Sequence, residues 1–217
     1  MGRPTIDIIF KQKAITAVKR SQLGIVGLII KDSTKDWTRK EYKIITDIKD
    51  EDYAEDFLQL VKDCFQFTPA KVVVFNIKDG TLANILKLVA QERINWLGLG
   101  YDGAEADTAT LVSWIKSMRK AGKTYKAVVH KAVKPDNKGI VNLMNEKVTF
   151  VDSRGEVEGW QYIPSILGML AGLPMTRSAT SFLCSNLQEV SIIDDIDEVI
   201  DKGGFCLHKD EGDIRVA

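Results

Sequence analysis

One glycine-rich segment of the sequence has the spacing of a nucleotide-binding turn. Residues Gly98 to Gly103 read Gly-Leu-Gly-Tyr-Asp-Gly, which fits G-x-G-x-x-G between an expected strand and an expected helix. In such a turn the pyrophosphate lies at the positive end of the helix, where Asp102, Glu105 and Asp107 place negative charge instead. No further acidic residue follows until Asp136, so a carboxylate to hold the ribose is missing. The motif therefore has two interpretations. It is either the phosphate-binding turn of a nucleotide-binding α/β enzyme, which we keep as an alternative function, or a flexible surface turn.

Few residues are suited to hydrolytic or metal chemistry. A Ser-His-Asp triad needs a histidine within reach of a nucleophile, and the chain offers only His130, at a strand end, and His208, in the last β run. No G-x-S-x-G elbow occurs, and Ser165 and Ser178 lie in ordinary helix-start and loop contexts. The acidic run Asp194 to Glu198 lacks the spacing of a calcium loop. We therefore predict no catalytic residue, no metal site and no cofactor.

The composition excludes several classes of protein. The 217 residues include 30 Lys and Arg against 30 Asp and Glu, and 45% are hydrophobic, which is typical of a globular chain with a buried core. Without a basic excess, a nucleic acid partner is not expected. No apolar run approaches the ~20 residues that span a bilayer, so membrane insertion is not expected either. Cys64, Cys184 and Cys206 lack metal or redox spacing and should be reduced, mostly buried thiols.

Strands and helices alternate through the first 131 residues. The sequence predicts strands at 24–31, 42–46, 71–77, 94–99 and 125–131, and helices at about 51–66, 80–92 and 106–121. This order predicts an α/β fold with a mostly parallel sheet and helices on both faces. The continuous apolar runs at 72–75 and 127–129 indicate strands that are buried on both sides.

The rest of the chain is less regular. Short strands are predicted at 139–144 and 148–152, a helix at about 160–172, extended chain at 175–193, a short helix at 194–202, and a hairpin from runs 205–209 and 213–217. The long helix has Pro164 in its first turn, and Gly168, Ala171 and Gly172 would let another backbone approach closely. Because the last strand stops within its pattern at Ala217, we expect the chain to be part of a longer protein.

The N-terminus contains a strand-forming segment without a neighbouring partner in the sequence. Its residues are Thr5, Ile6, Asp7, Ile8, Ile9 and Phe10. An unpaired strand can add to the sheet edge of another subunit, so we interpret 5–10 as an inter-subunit arm strand.

Zero net charge conceals four charged blocks. Residues 1–46 carry +6, 47–66 carry −5, 115–138 carry +7 and 185–213 carry −7. Such blocks either neutralise each other within one chain or meet between copies, where opposite patches would direct head-to-tail assembly.

Several segments resemble contractile phage tail sheath proteins, particularly those of clostridial phage-like particles and R-type bacteriocins. At the N-terminus the similar segments are 2–8, 10–11 and 20–32, and later ones are 126–134, 139–142, 168–174 with Ser178 and Thr180, and 212–217. The Ala-Gly-x-Pro segment ending at Pro174 and the closing Ile-Arg-Val-Ala are the most specific. The resemblance spans nearly the whole chain.

The resemblance implies a subtilisin-like tail sheath core at 23–217, without a catalytic triad, behind an extended arm at 1–22. It also implies a further C-terminal domain and arm that this chain lacks. Such a protein is a structural subunit, not an enzyme: its rings stack around a tail tube, and the sheath contracts to drive the tube into a cell. The implied partners are other sheath subunits, the tail tube protein, the baseplate and the tail terminator.

The implied location is a virion tail or a phage tail-like particle that is assembled in the cytoplasm of the bacterial host. A subunit without its C-terminal arm should be monomeric or weakly associated, because the network of exchanged arms cannot close.

Overall fold

A six-stranded sheet forms the centre of the computed structural model, which describes residues 23–133, 135–174 and 176–217. Its strands are β1 (Ile25–Ile30), β2 (Arg39–Tyr42), β3 (Lys71–Asn76), β4 (Trp96–Leu99), β5 (Lys126–His130) and β6 (Ile140–Leu143). Their order is β2-β3-β1-β4-β5-β6, and every neighbouring pair is parallel except β2 with β3. In the central register, Val26 of β1 lies opposite Val72 and Trp96.

Helices cover both faces of this sheet, as the alternation of elements predicts. They are α1 (Glu55–Asp63), α2 (Leu82–Val89), α3 (Ala104–Lys120) and α4 (Ile163–Gly172). Successive strand residues point to opposite sides, so Leu28 joins a core with α1 and α4, whereas Ile29 joins a core with α2 and α3. The apolar runs of β1 and β3 are buried on both sides because both cores need them.

The small residues of α4 allow the close contact that the sequence predicts. A Cβ atom on Gly168 would overlap the carbonyl oxygen of Cys64, and one on Gly172 would overlap that of Phe67. The N–H of Gly24 also donates to the carbonyl of Ala171 over 2.7 Å. Backbone therefore packs directly against α4, which a larger side chain would prevent.

A second group of strands packs on the side of α1 and α4. It comprises β7 (Lys147–Phe150), β8 (Glu156–Glu158) and β9 (Leu187–Val190) in the order β8-β7-β9, the short helix α5 (Ile196–Asp201), and the hairpin of β10 (Leu207–Asp210) and β11 (Asp213–Val216). Phe150, Leu207 and Ile214 are buried in the same core as α4. The predicted hairpin is present, and Glu211 and Gly212 have φ of 47° and 97° at its turn.

The strand predicted at 42–46 is wrong. The structure places β2 at Arg39–Tyr42, and a 3-10 turn occupies Ile45–Asp47. Partners that are distant in sequence fix this strand: Arg39 pairs with Glu92 at 2.6 Å, and the hydroxyl of Tyr53 donates to that of Tyr42 over 2.8 Å. Neither contact can be predicted from the strand or helix preferences of the neighbouring residues.

Two other sequence expectations can be compared with the described residues. Cys64, Cys184 and Cys206 are free thiols and buried, as predicted. Within the described ranges, no helix has the length and apolarity needed to cross a membrane.

Candidate assembly surfaces

The glycines of the 98–103 segment serve packing inside the chain. A Cβ on Gly98 would lie 2.8 Å from side-chain atoms of Ile163 and Leu167. A Cβ on Gly100 would lie 3.1–3.3 Å from side-chain atoms of Leu28 and Ile30. Both glycines are buried. The segment is therefore not a flexible surface turn, because Gly98 lets β4 pack closely against α4 and Gly100 packs against side chains of β1.

The start of α3 is acidic, as the sequence predicts. Glu105 and Asp107 lie in its first turn, and the Tyr101 hydroxyl donates to Asp107 over 2.9 Å. Burial, together with the Asp107 carboxylate, raises the pKa of Tyr101 and keeps the phenol protonated. A cleft of about 550 Å³ opens beside this helix start. Acidic Asp102 and Glu105 and basic Lys116 and Lys131 all line this cleft, so its charge does not select for or against a phosphate. The geometry does not favour the nucleotide-binding alternative because side chains fill the space beside Gly98 and Gly100.

The histidines and serines that a hydrolase would require have other partners. The Nε2 atom of His130 lies 2.9 Å from the carbonyl oxygen of Asn145. Ser165 accepts a hydrogen bond from the amide of Asn186, and the Ser178 hydroxyl donates to that of Thr180. In the part of the chain that the structure describes, no cluster of three or more metal-ligating side chains occurs.

A buried carboxylate that sequence reasoning missed lies at the end of β1. Asp32 is 1% exposed, and it accepts hydrogen bonds from the N–H and hydroxyl of Thr34 and from the N–H of Ala54. Asn76 bonds both the N–H and the carbonyl of Asp32. Burial opposes ionisation, but the bonds from Thr34 and Ala54 outweigh it and lower the pKa of Asp32. An Asp-Ser-Thr turn after an apolar strand is the signal that predicts such a group.

Every hydrogen bond of this carboxylate ends on the chain itself. The carboxylate therefore positions the residue before α1, and the backbone of Asp32, through Asn76, links the ends of β1 and β3; both are structural roles.

The inter-subunit arm predicted at 5–10 lies outside the described residues, so its pairing stays a prediction. The described part of the main sheet ends at β2 on one side and at β6 on the other. Phe205 bridges to Leu143 beside β6, whereas β2 has no second neighbouring strand among the described residues. The unpaired backbone groups of β2 could therefore form hydrogen bonds with a strand from another subunit.

The charged blocks differ in how they are paired. Lys40, from the first block, contacts Asp52, from the second, at 2.5 Å. Among the described residues, no ion pair joins 115–138 to 185–213; in the latter segment Lys202 contacts Glu198, and Lys209 contacts Glu189. The two strongest blocks thus keep much of their charge at the surface.

The sequence of this chain was compared with those of known proteins. No protein-family model matches the chain. The tail sheath protein of Clostridium phage phiCD119 is 27% identical to it, in an alignment that covers 100% of this chain and 62% of that protein. The predicted resemblance to tail sheath proteins is confirmed. The chain thus spans less than two thirds of the length of this relative.

Solved sheath structures share the fold. The sheath tail protein of Listeria innocua matches with a TM-score of 0.76 over 94% of this chain and 71% of its own, at 14% identity. The helical sheath of the anti-feeding prophage, in its contracted state, matches with a TM-score of 0.68 over 90% of this chain and 61% of its own, at 10% identity. At such identities the likeness to tail sheath structures establishes the architecture alone.

Proposed function

We propose that this chain is a structural subunit of a contractile tail sheath. It polymerises around a tail tube and contracts to drive the tube through the envelope of a target cell. The observation that carries this proposal is the match to a tail sheath protein along the entire chain. The shared fold of sheath structures and a glycine segment committed to internal packing are consistent with it.

The proposal includes a subtilisin-like core without enzymatic activity. A mostly parallel sheet with helices on both faces supports the fold assignment. Support for the non-enzymatic role comes from the partners of His130, Ser165 and Ser178, which are not those of a triad.

Residues 1–22 are the proposed arm and 23–217 the proposed core, and the strand at 5–10 adds to a sheet of a neighbouring subunit. The edge strand β2 supports a contact of this kind because its outer side is unpaired among the described residues.

The proposed partners are further sheath subunits, the tail tube protein, the baseplate and the tail terminator. The sheath of the anti-feeding prophage is a helical assembly, and a chain in a structure of that particle's baseplate also matches this chain. By analogy, the protein belongs to a virion tail or a phage tail-like particle that is assembled in the host cytoplasm.

Co-production of this protein, in the form in which its gene encodes it, with tail tube and baseplate proteins from the same genome tests this function. Electron microscopy of the purified tubes should show a regular outer layer that contains this protein, as mass spectrometry of the same fraction can verify. Tubes that stay bare while the protein is present and folded would contradict the proposed function.

A further inference from the structure

A buried carboxylate at the end of α1 is held by an arginine from the turn between β7 and β8. Asp63 is the last residue of α1, and its side chain is only 4% exposed. The Arg154 guanidinium donates to both oxygens of this carboxylate, over 2.5 Å and 3.3 Å. We call residues 151–155 the β7–β8 turn. The contact ties this turn to a helix that is distant in the sequence.

Arg154 has a second carboxylate partner within its own turn. Its Nε and Nη2 atoms donate to Asp152 over 2.6–3.1 Å, and its guanidinium lies 3.5 Å from the centre of the Phe150 ring. The Asp152 side chain is 43% exposed, so this partner belongs to the turn and is in contact with water. Arg154 would therefore keep one ion-pair partner if it separated from Asp63.

The position of Asp63 disfavours a negative charge that is not compensated by Arg154. Burial opposes ionisation of the carboxyl group, and the carbonyl end of α1 adds negative potential. Hydrogen bonds from Arg154 and from the amide of Gln59 favour the ionised form, but burial outweighs them and raises the pKa of Asp63. Asp63 should therefore take up a proton at a higher pH than an ordinary aspartate, whose pKa is about 3.9.

The other titratable groups around Asp63 do not provide a second cation for it. They are Lys62 and Cys64 on α1, Asp152 in the β7–β8 turn, Tyr162 before α4, and Cys184 beside Tyr162. Burial raises the pKa of both thiols and of the phenol, so these three groups are neutral. Lys62 pairs with Asp50 at 3.0 Å. The hydrogen bonds from Arg154 lower the pKa of Asp152, so Asp152 stays ionised when Asp63 is neutral.

We propose that the β7–β8 turn is a latch, which is closed on α1 while Asp63 is ionised and is released when Asp63 is neutral. In the closed state the guanidinium covers one face of Phe150, whose ring also contacts that of Tyr162. In the released state Arg154 keeps Asp152, the end of the hairpin is no longer tied to α1, and that face of Phe150 becomes accessible. The latch is a property of a single chain, so it goes beyond the proposed sheath function and does not depend on it.

Limited digestion with trypsin tests the latch at a pH where the wild type keeps it closed. Trypsin binds the arginine side chain, so it cuts between Arg154 and Gly155 when the guanidinium is free. Asp63→Asn reproduces the neutral carboxyl group. In this variant the fragment that begins at Gly155 should form at least about tenfold faster than in the wild type, because cleavage follows the population of the open form. Cleavage after Lys126, within β5, should keep its wild-type rate because it requires the main sheet to open.

Asp50→Asn is the matched control. It changes the net charge equally and also removes a carboxylate from an ion pair with α1, but its partner is Lys62 and its side chain is exposed. Cleavage after Arg154 should then proceed as in the wild type. The proposal is overturned if Asp63→Asn is cut after Arg154 no faster than the wild type, or if cleavage after Lys126 accelerates as much as cleavage after Arg154.

An NMR titration of the wild type tests the pH dependence without a substitution. As the pH is lowered, the guanidinium nitrogen signals of Arg154 should shift with the same midpoint as the carboxyl carbon of Asp63, and this midpoint should lie above about 3.9. Asp63→Asn should lack this transition. Guanidinium signals that stay constant while Asp63 titrates would overturn the proposal. Both experiments use the chain alone, so their failure would leave the tube-decoration test of the sheath function unaffected.

Discussion

Asp32 places a buried, hydrogen-bonded carboxylate at the end of β1. Its buried carboxylate takes one hydrogen bond from the residue before α1 and two from Thr34, and Asn76 holds its backbone. The carboxylate thus joins the end of the first strand to the start of α1, and the backbone of Asp32 joins the first strand to Asn76 of β3.

Substituting Asp32→Asn should lower the free energy of unfolding by about 2 kcal/mol at neutral pH, since one acceptor oxygen for a buried N–H is lost. The pKa of Asp32 is lowered in the folded chain. Its stabilisation is therefore complete above the ordinary carboxyl pKa of about 3.9 and is lost as pH falls through the lowered folded value.

Urea unfolding of both proteins at neutral and at acidic pH checks this. The difference between wild type and variant should shrink at acidic pH, and Asp47→Asn, at an exposed position, should change neither value. A difference that is independent of pH would show that the charge of Asp32 is irrelevant.

At the residue scale, local patterns predicted buried thiols and an acidic start for α3, and both are present. The burial of Gly98 and Gly100 was not predictable, because their neighbours Ile163, Leu167, Leu28 and Ile30 are supplied by other elements. The G-x-G-x-x-G sequence is the same whether a ligand or a side chain of the protein fills the space beside its glycines.

At the scale of elements, α4 depends on small residues where backbone of the α1 region crosses it. Gly168→Ala should lower the free energy of unfolding by about 1–3 kcal/mol, because the new methyl group meets the Cys64 carbonyl and the backbone must shift.

Gly122→Ala provides the comparison in thermal or urea unfolding. Its Cβ would meet no atom within 4 Å, but its φ is +80°, so only backbone strain of about 1 kcal/mol is expected. The account of α4 fails if Gly168→Ala unfolds like the wild type.

The sequence predicted the buried parallel strands well because their apolar runs are continuous. It failed at β2, where Arg39, Lys40 and Glu41 give no strand signal and the pairing with β3 places the segment in the sheet. The short strand β8 was missed for the same reason, since Glu156, Val157 and Glu158 become a strand only beside β7.

At the scale of the whole molecule, the proposed arm should matter for assembly and not for folding. Removing residues 1–22 should leave the unfolding transition of the core unchanged, because described residues within 23–217 form a hydrophobic core on each face of the sheet. The same deletion should abolish the outer layer on co-produced tubes, as electron microscopy would reveal. Decorated tubes without residues 1–22 would refute the arm assignment.

The segmental charges were evident from the sequence, but their pairing was not. Only the structure shows that Lys40 reaches Asp52 while the blocks at 115–138 and 185–213 make no mutual ion pair among the described residues. Charge pairing depends on which faces the segments occupy, and the fold determines that.

Helical reconstruction by cryo-electron microscopy, on contractile particles from cells that encode this chain, tests the central claim most directly. The account predicts that the repeating subunit of the sheath layer contains the six-stranded sheet in the order β2-β3-β1-β4-β5-β6, with side-chain density that fits this sequence. A sheath layer built from a different protein, with this chain absent from the particle, would contradict it.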